Sequence, residues 1–344
     1  MIKPNPLKFI IKRSLHHIAA KFGNHVRSSS DEQLLVLMYH RVIPDHDERI
    51  RFEEPGMLVS PATFKKNLEV LAKHFQFIQL SEWIERQSKG FPLPKKSCVI
   101  TFDDGWRDNY EYAFPILQEM AIPATIFLVS DMIGTNKMFW PERLARTVTE
   151  IAEKSPGYWL NPSIGWLKAA RTDYRFNDIA PTQEELTQLI AHTKGFSDQK
   201  AHALLDIITK DLGLDESQYQ PALMNWEQVS EMTDTGLIDV GSHTCHHIRL
   251  NHQTPTKTLE KEIISSKNKI EAFTGLPVKT FCFPNGDYSQ EALTIVRQQY
   301  LGAVTTNSGW NSSKTDHHLL QRIGIHEDIA KDEIAFLARI SGWF

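Results

Sequence analysis

The sequence predicts an α/β fold: a parallel sheet or barrel with helices around it and a largely helical insertion. Three observations predict it. Short β-rich runs recur along the 344 residues. Segments with helical caps and helical periodicity lie between them. The runs are apolar at successive positions, as strands buried on both faces are, rather than alternating with polar residues.

Residues 34–39 (LLVLMY) form the first run. The polar, proline-punctuated residues 43–59 read as a long loop over a site. Ser60-Pro61-Ala62 sets a cap before a first-turn proline and starts a helix over 61–74. Residues 98–102 (CVITF) and 124–129 (ATIFLV) are the next strands, with an amphipathic helix over 108–120 between them. The insertion spans 134–225, and in it Thr182-Gln183-Glu184-Glu185 is a capping box preceded by Pro181. Its aromatics Tyr158, Trp159, Trp166, Tyr174 and Phe176 suit the core of a small helical subdomain better than a sugar-stacking surface. A strand at 237–240 (LIDV) follows, then a helix over 255–273 that opens at Thr254-Pro255 and stops at Gly275. Strands at 280–283, 302–306 and 319–325 bring the set to seven. Residues 332–344 form an apolar terminal helix suited to docking on the barrel or on a partner.

A hydrophobic fraction of 41% with 23% charged residues is that of a globular protein. The net charge of −4, with no basic run interleaved with aromatics, speaks against nucleic acid as a partner. Three cysteines, Cys98, Cys245 and Cys282, build no disulfide framework.

Residues 1–30 form a segment of their own ahead of one catalytic domain over 31–344. They carry Lys3, Lys8, Lys12, Arg13, Lys21 and Arg27 with no acidic residue. Lys12-Arg13 breaks the apolar stretch that a secretory signal needs, and no window reaches the roughly 18 apolar residues of a spanning helix. Two readings stand side by side: a basic amphipathic helix lying on an anionic membrane surface, or a helix packed on the domain by its apolar face. Without a leader, the expected place of action is the cytoplasmic side, at the membrane if the first reading holds.

Chemistry concentrates in two motifs. Thr101-Phe102-Asp103-Asp104-Gly105 ends one apolar run, and His243-Thr244-Cys245-His246-His247 follows another. In a parallel α/β fold both strand ends open on one mouth, where ligands bind. A helical turn there would bring His243 and His247 onto one face. One Asp and two His make three ligands for a divalent metal and leave a position for water, with the second carboxylate free as a base. Zinc suits this set best, and cobalt, nickel or manganese can replace it. Cys245 as a further ligand would close the site to water, so it reads as a packing residue. His40 ends the first strand at the same mouth and reads equally as a substrate contact or as a histidine bonded to backbone.

TFDDGW (101–106), GSHTCHH (241–247) and FCFPNGDYS (281–289) resemble the motifs of the polysaccharide deacetylase family, carbohydrate esterase family 4, with its NodB homology domain. The flanks LMYHRV (37–42), MNWEQV (224–229) and LLQRIGIHED (319–328) look like its bacterial envelope-polysaccharide subgroup. The resemblance implies a distorted (β/α)7 barrel of the NodB type. It also implies a metal-dependent hydrolase that removes N-acetyl groups from amino sugars of a polysaccharide or its lipid-linked precursor. In that family pattern Asp103 is the general base, and Asp104, His243 and His247 hold the metal. Thr244 orients their loop, metal-bound water attacks the amide carbonyl, and the Asn285 N–H helps to stabilise the oxyanion.

The chain departs from the pattern in its later motifs. Cys282 stands where many members carry an Arg that orients the catalytic Asp, and Asn285 replaces an aromatic. Asn307-Ser308-Gly309-Trp310 keeps only the groove tryptophan, Trp310, of the fourth motif. Arg322 on a later strand is the candidate for the missing positive charge. The general acid falls nearest His326, with His317 and His318 as rivals. These departures leave two other functions open: a metal amidohydrolase acting on a small non-sugar amide, and a glycan-binding protein without turnover.

Overall fold

The computed structural model describes residues 6–216 and 219–343, with side chains from Arg13 onward. Lys3 and Phe344 lie outside the described residues. Among the described residues the central sheet has nine strands, of which two are short edge pieces, Gln76–Phe77 and the antiparallel Asn311–Ser312. The other seven are β1 (Gln33–Tyr39), β2 (Lys96–Phe102), β3 (Ala124–Leu128), β4 (Ile238–Ser242), β5 (Thr280–Cys282), β6 (Gly302–Val304) and β7 (Ile323–Gly324). All pair in parallel, in the order β7-β1-β2-β3-β4-β5-β6. Residues 320–324 join the two edges, because Leu320 bridges to Val304 on β6 while Ile323 pairs with Leu37 on β1. The sheet thus curls into the distorted (β/α)7 barrel expected. That crossing also explains why the last strand is shorter than 319–325: its residues change partners midway.

Alternation along β1 sorts its side chains into two layers. Leu34 and Val36 cluster with Trp83, Val99, Phe127 and Cys282, whereas Leu35, Leu37 and Tyr39 pack with Phe64, Leu68 and Leu71 of the Pro61–Leu71 helix. Both faces of the sheet are therefore covered, which accounts for the unbroken apolar runs. The inner layer is full: a Cβ on Gly241 of β4 would sit 2.4 Å from the Phe127 ring.

Ser60 caps the Pro61–Leu71 helix by accepting the Thr63 N–H, and Thr182 and Glu185 form the reciprocal capping box. Two expected helices differ in the same way. The 108–120 segment opens with a π turn, Asn109–Ala113, before Phe114–Met120. The 255–273 segment divides into Thr256–Glu260, a π turn at Lys261–Ser265, and Ser266–Thr274, ending at Gly275 with φ +67°. Its cap position is Pro255, because the Thr254 hydroxyl is spent on the Arg249 carbonyl.

The insertion has a core of its own. Leu144, Val148 and Ile151 of the Trp140–Lys154 helix pack with Leu189 of Gln183–Thr193 and with Leu205 and Ile208 of Asp198–Leu212. Trp159 and Tyr174 are buried there, in keeping with the core reading of that aromatic cluster. The Pro6–Phe22 helix lies against Glu333–Arg339, with buried Ala19 and the close Gly23–Ser341 approach at the contact. No helix among the described residues is long and apolar enough to cross a membrane.

Candidate active site

β2 delivers the two aspartates. Its ladder with β1 ends at Tyr39↔Phe102, and the Asp103 N–H still donates to the Tyr39 carbonyl at 3.0 Å. The chain then turns through left-handed conformations at Asp104 (φ +75°) and Gly105 (φ +83°). This turn points neighbouring carboxylates in different directions, and their partners make them chemically unlike.

Asp103 is 2% exposed and is gripped by Arg322, with Nη1 to Oδ1 and Nη2 to Oδ2 both at 2.7 Å. The guanidinium is satisfied all round: Nη1 also donates to Thr101 Oγ1, Nε to the Thr305 carbonyl, and Nη2 approaches Cys282 Sγ at 3.1 Å. Burial alone would raise the Asp103 pKa. The charge and hydrogen bonds of Arg322 outweigh it and hold the carboxyl well below the usual range. Both oxygens are thus engaged by the guanidinium. Arg322 therefore supplies the missing positive charge. Its donors are consumed inside the barrel, so it is not placed to touch a substrate.

Asp104 is the opposite case. Trp106 Nε1–H donates to its Oδ2, while Oδ1 is buried without a hydrogen-bond partner. That Oδ1 lies 3.5 Å from His243 Nε2 and 3.4 Å from His247 Nε2. Ligand atoms around a tetrahedral ion with bonds of about 2.0–2.1 Å stand roughly 3.3–3.4 Å apart, so the three residues fit a divalent cation of zinc type. His243 Nδ1–H donates to the Cys282 carbonyl at 2.8 Å, which leaves Nε2 as the lone-pair nitrogen facing Asp104. Burial, opposed by the Asp103 charge, pulls the His243 pKa down to about 4, so the ring is neutral at pH 7, the form that a metal ligand takes.

The histidine loop is not the helical turn expected from its spacing. Thr244 (φ +67°) and His247 (φ +59°) both take left-handed conformations, and the His247 N–H donates to Thr244 Oγ1. Positive φ is disfavoured for Thr and His, so neighbouring contacts must hold it. The π-turn helix supplies them. Glu262, 4% exposed, accepts the Cys245 and His246 N–H groups at 2.9 Å each and pairs with His246 Nδ1. Ser266 donates to the Thr244 carbonyl and meets Ser242 Oγ. Glu262 and Ser266, four residues apart, face the same loop. Sequence reasoning missed both; a Glu on the buried side of a helix was the one signal available. Cys245 is buried, with Sγ 3.6 Å from the Lys261 carbonyl and away from the Asp104 set.

Around these residues lies a cavity of about 470 Å³, lined also by His40, Trp106, Phe139, Trp140, Asn285 and Thr306. His40 Nε2 is 3.9 Å from Asp103 Oδ2. Asn285 (φ +55°) stands at the rim in a turn whose backbone bonds run from Gly286 to Phe283 and from Asp287 to Pro284. His326 follows β7 on the same rim but does not line the cavity. His318 is occupied by the Tyr300 carbonyl. Trp310 corrects the expectation of a groove tryptophan. Its neighbour Asn311 pairs with Leu34 at the start of β1, the end opposite Asp103, and its indole N–H donates to Ile340.

Two metal measurements follow. Asp104→Ala is expected to abolish stoichiometric zinc uptake in equilibrium dialysis, while Asp103→Asn retains it. Glu262→Ala frees the loop between His243 and His247 and is expected to weaken zinc binding about 10–100-fold. An unchanged zinc affinity would mean that Glu262 does not support the ligands.

Comparison with known proteins accords with this geometry. The polysaccharide deacetylase family model matches residues 91–193 and 196–304. The chain is similar to the poly-beta-1,6-N-acetyl-D-glucosamine N-deacetylase of Staphylococcus epidermidis, with 40% identity over 79 residues, which is 23% of this chain and 27% of that protein. The similar stretch therefore spans about a quarter of that relative's length. Among solved structures, IcaB from Ammonifex degensii superposes with a TM-score of 0.55 at 18% identity, covering 91% of this chain and 100% of that one. The Streptococcus pyogenes deacetylase PplD gives 0.56 at 18% identity, covering 89% of this chain and 97% of that one. At that identity the superpositions speak for the fold, and the family match over more than half of the chain speaks for descent. The chain belongs to the polysaccharide deacetylase family.

Proposed function

We propose that the chain is a metal-dependent N-deacetylase that removes acetyl groups from the amino sugars of a polysaccharide such as poly-N-acetylglucosamine, or of its lipid-linked precursor. The observation that carries this reading is the division of labour between adjacent aspartates: Asp103 tied to Arg322, Asp104 presenting a free Oδ1 to two imidazoles. Asp104, His243 and His247 would hold the cation, most naturally zinc, which when bound acidifies water and polarises a carbonyl. Asp103, kept anionic by Arg322, accepts the proton of the attacking water. The same pairing lowers its basicity, so its effectiveness rests on proximity rather than on proton affinity. The Asn285 N–H is the donor at the rim for the developing oxyanion. For the proton to the leaving amine, cavity position favours His40 over His326, since His40 lines the cavity beside Asp103.

The membrane reading of the N-terminal segment gains support from side-chain exposure. Ala19 of the helix is buried, while Leu15, Ile18, Phe22 and Val26 are 43–49% exposed. Arg13, Lys21 and Arg27 flank them, and Arg27 lies over the ring of Trp343. An apolar strip bordered by cations suits an anionic bilayer surface.

Acetate release from N-acetylglucosamine oligomers, after chelation and resupply of zinc, is expected to return with the metal. Asp103→Asn is expected to lose about 10²–10⁴-fold in kcat with metal bound. Release from small cyclic amides alone, or zinc binding without release from any glycan, would contradict the reading. For the membrane contact, cosedimentation with phosphatidylglycerol vesicles is expected to exceed that with phosphatidylcholine and to fall as salt rises. Equal binding to both would remove it.

A further inference from the structure

Among the described residues, the Asp104 carboxylate accepts one hydrogen bond, from Trp106 Nε1–H to Oδ2 at 2.9 Å, and its Oδ1 has none. The indole therefore sets the direction in which that carboxylate points. His243 is fixed separately, through its Nδ1–H on the Cys282 carbonyl. The Trp106 ring also meets Phe139, with 5.3 Å between centres, and Phe139 meets His247 at 5.1 Å. A shift of Trp106 would thus reach two of the three residues proposed to hold the cation.

What holds Trp106 is on the page. Its backbone bridges to Leu223, and the neighbouring Gly105 carbonyl accepts the Met224 N–H at 3.0 Å. Its ring lies under Arg41, whose guanidinium carbon is 4.3 Å from the ring centre. A cation over an indole face is attracted by the ring's negative face, and more strongly where water is excluded. Arg41 is 1% exposed and Trp106 2%. The guanidinium is anchored along its edge by two carboxylates. Nε donates to Asp108 Oδ2 at 2.8 Å, Nη2 lies 2.8 Å from the same oxygen, and Nη1 donates to Glu53. Asp108 is itself buried and accepts the Val42 N–H at 3.0 Å. The anchors come from separate elements: Asp108 precedes the Asn109–Ala113 π turn, and Glu53 belongs to the loop over 43–59. An arginine can give its edge to carboxylates and its flat face to an indole at once, which an ammonium cannot.

Arg41 does not line the cavity, so it meets neither cation nor substrate there. We propose that Arg41 is a positioning residue for the metal site: anchored by Asp108 and Glu53, it holds the Trp106 indole so that its N–H aims the Asp104 carboxylate toward His243 and His247. The inference rests on the reading of those three residues as the metal site. A buried ion cluster with a purely structural role would change stability on disruption and leave cation affinity where it was. Glu53 also lines the cavity, so the loop over the site and the Asp104 carboxylate share one support.

The test measures zinc affinity of the full chain by competition with a chromophoric chelator, for Arg41→Lys, Trp106→Phe and the double variant. Lysine keeps a charge for Asp108 and gives up the flat contact; phenylalanine keeps a ring and gives up the N–H. Each single substitution is expected to weaken zinc binding about 10–100-fold. In the Trp106→Phe background Arg41→Lys is expected to add about twofold or less, because both act through one hydrogen bond. Should Arg41→Lys fail to fold in urea titrations, Glu53→Gln loosens one anchor and leaves the guanidinium in place. It is expected to weaken zinc binding by a smaller factor and to lose that effect in the Trp106→Phe background. Unchanged zinc affinity in any folded single variant, or equal losses from the anchor variant in both backgrounds, would overturn the inference and leave the metal-site reading standing. No zinc bound by the unsubstituted chain would overturn both.

Discussion

The bidentate pair between Arg322 and Asp103 is the contact on which the rest of the site depends. Both groups lie almost wholly inside the barrel, where an unpaired charge is strongly disfavoured, and removing either partner would cost about 3–5 kcal/mol. The pair is tolerable because every remaining guanidinium donor has an acceptor: Thr101, the Thr305 carbonyl and the Cys282 sulfur. Its consequence is that one of two adjacent carboxylates is tied to a guanidinium. Asp104, one residue on and turned by a positive φ, is left to face the imidazoles. Two like side chains acquire different surroundings through their neighbours alone.

Holding that arrangement requires backbone strain, and it gathers where the chemistry is. Asp104, Thr244, His247 and Asn285 all carry positive φ. The surrounding structure constrains them through specific bonds: Trp106 to Asp104, Thr244 to His247, Glu262 to the amides between His243 and His247. The two π turns fit this view. One bears Asn109, whose side chain bonds the His40 carbonyl, and the other bears Glu262. Each deforms a helix where it meets the site.

Much of this was legible in the residues, for physical reasons. Strands buried on both faces leave unbroken apolar runs, so the barrel could be read from 34–39, 98–102 and 124–129. Residues at strand ends inherit the mouth of a parallel fold, so Asp103, Asp104, His243 and His247 could be brought together without coordinates. Partner choice was harder to read. Arg322 could be named as a source of charge, but not as a fork closing on both oxygens of Asp103, because the barrel closure that brings β7 beside β1 has no local pattern. Trp310 was misjudged for the same reason: its motif resemblance carries no information about which end of the sheet it occupies. The turn at Thr244 and His247 was hidden because spacing alone cannot distinguish a helical turn from a strained loop. Glu262 was missed because a buried carboxylate within a helix looks, in sequence, like a solvated one.

The central claim, that Arg322 reserves Asp103 while Asp104 joins His243 and His247, is tested most directly by locating the ion. Anomalous diffraction from crystals of the zinc-loaded protein should show one site bonded to an Asp104 oxygen and to Nε2 of both histidines, with Asp103 still paired to Arg322. An ion bonded to Asp103, or one seated instead among Asp131, Cys245 and His246, would contradict the account.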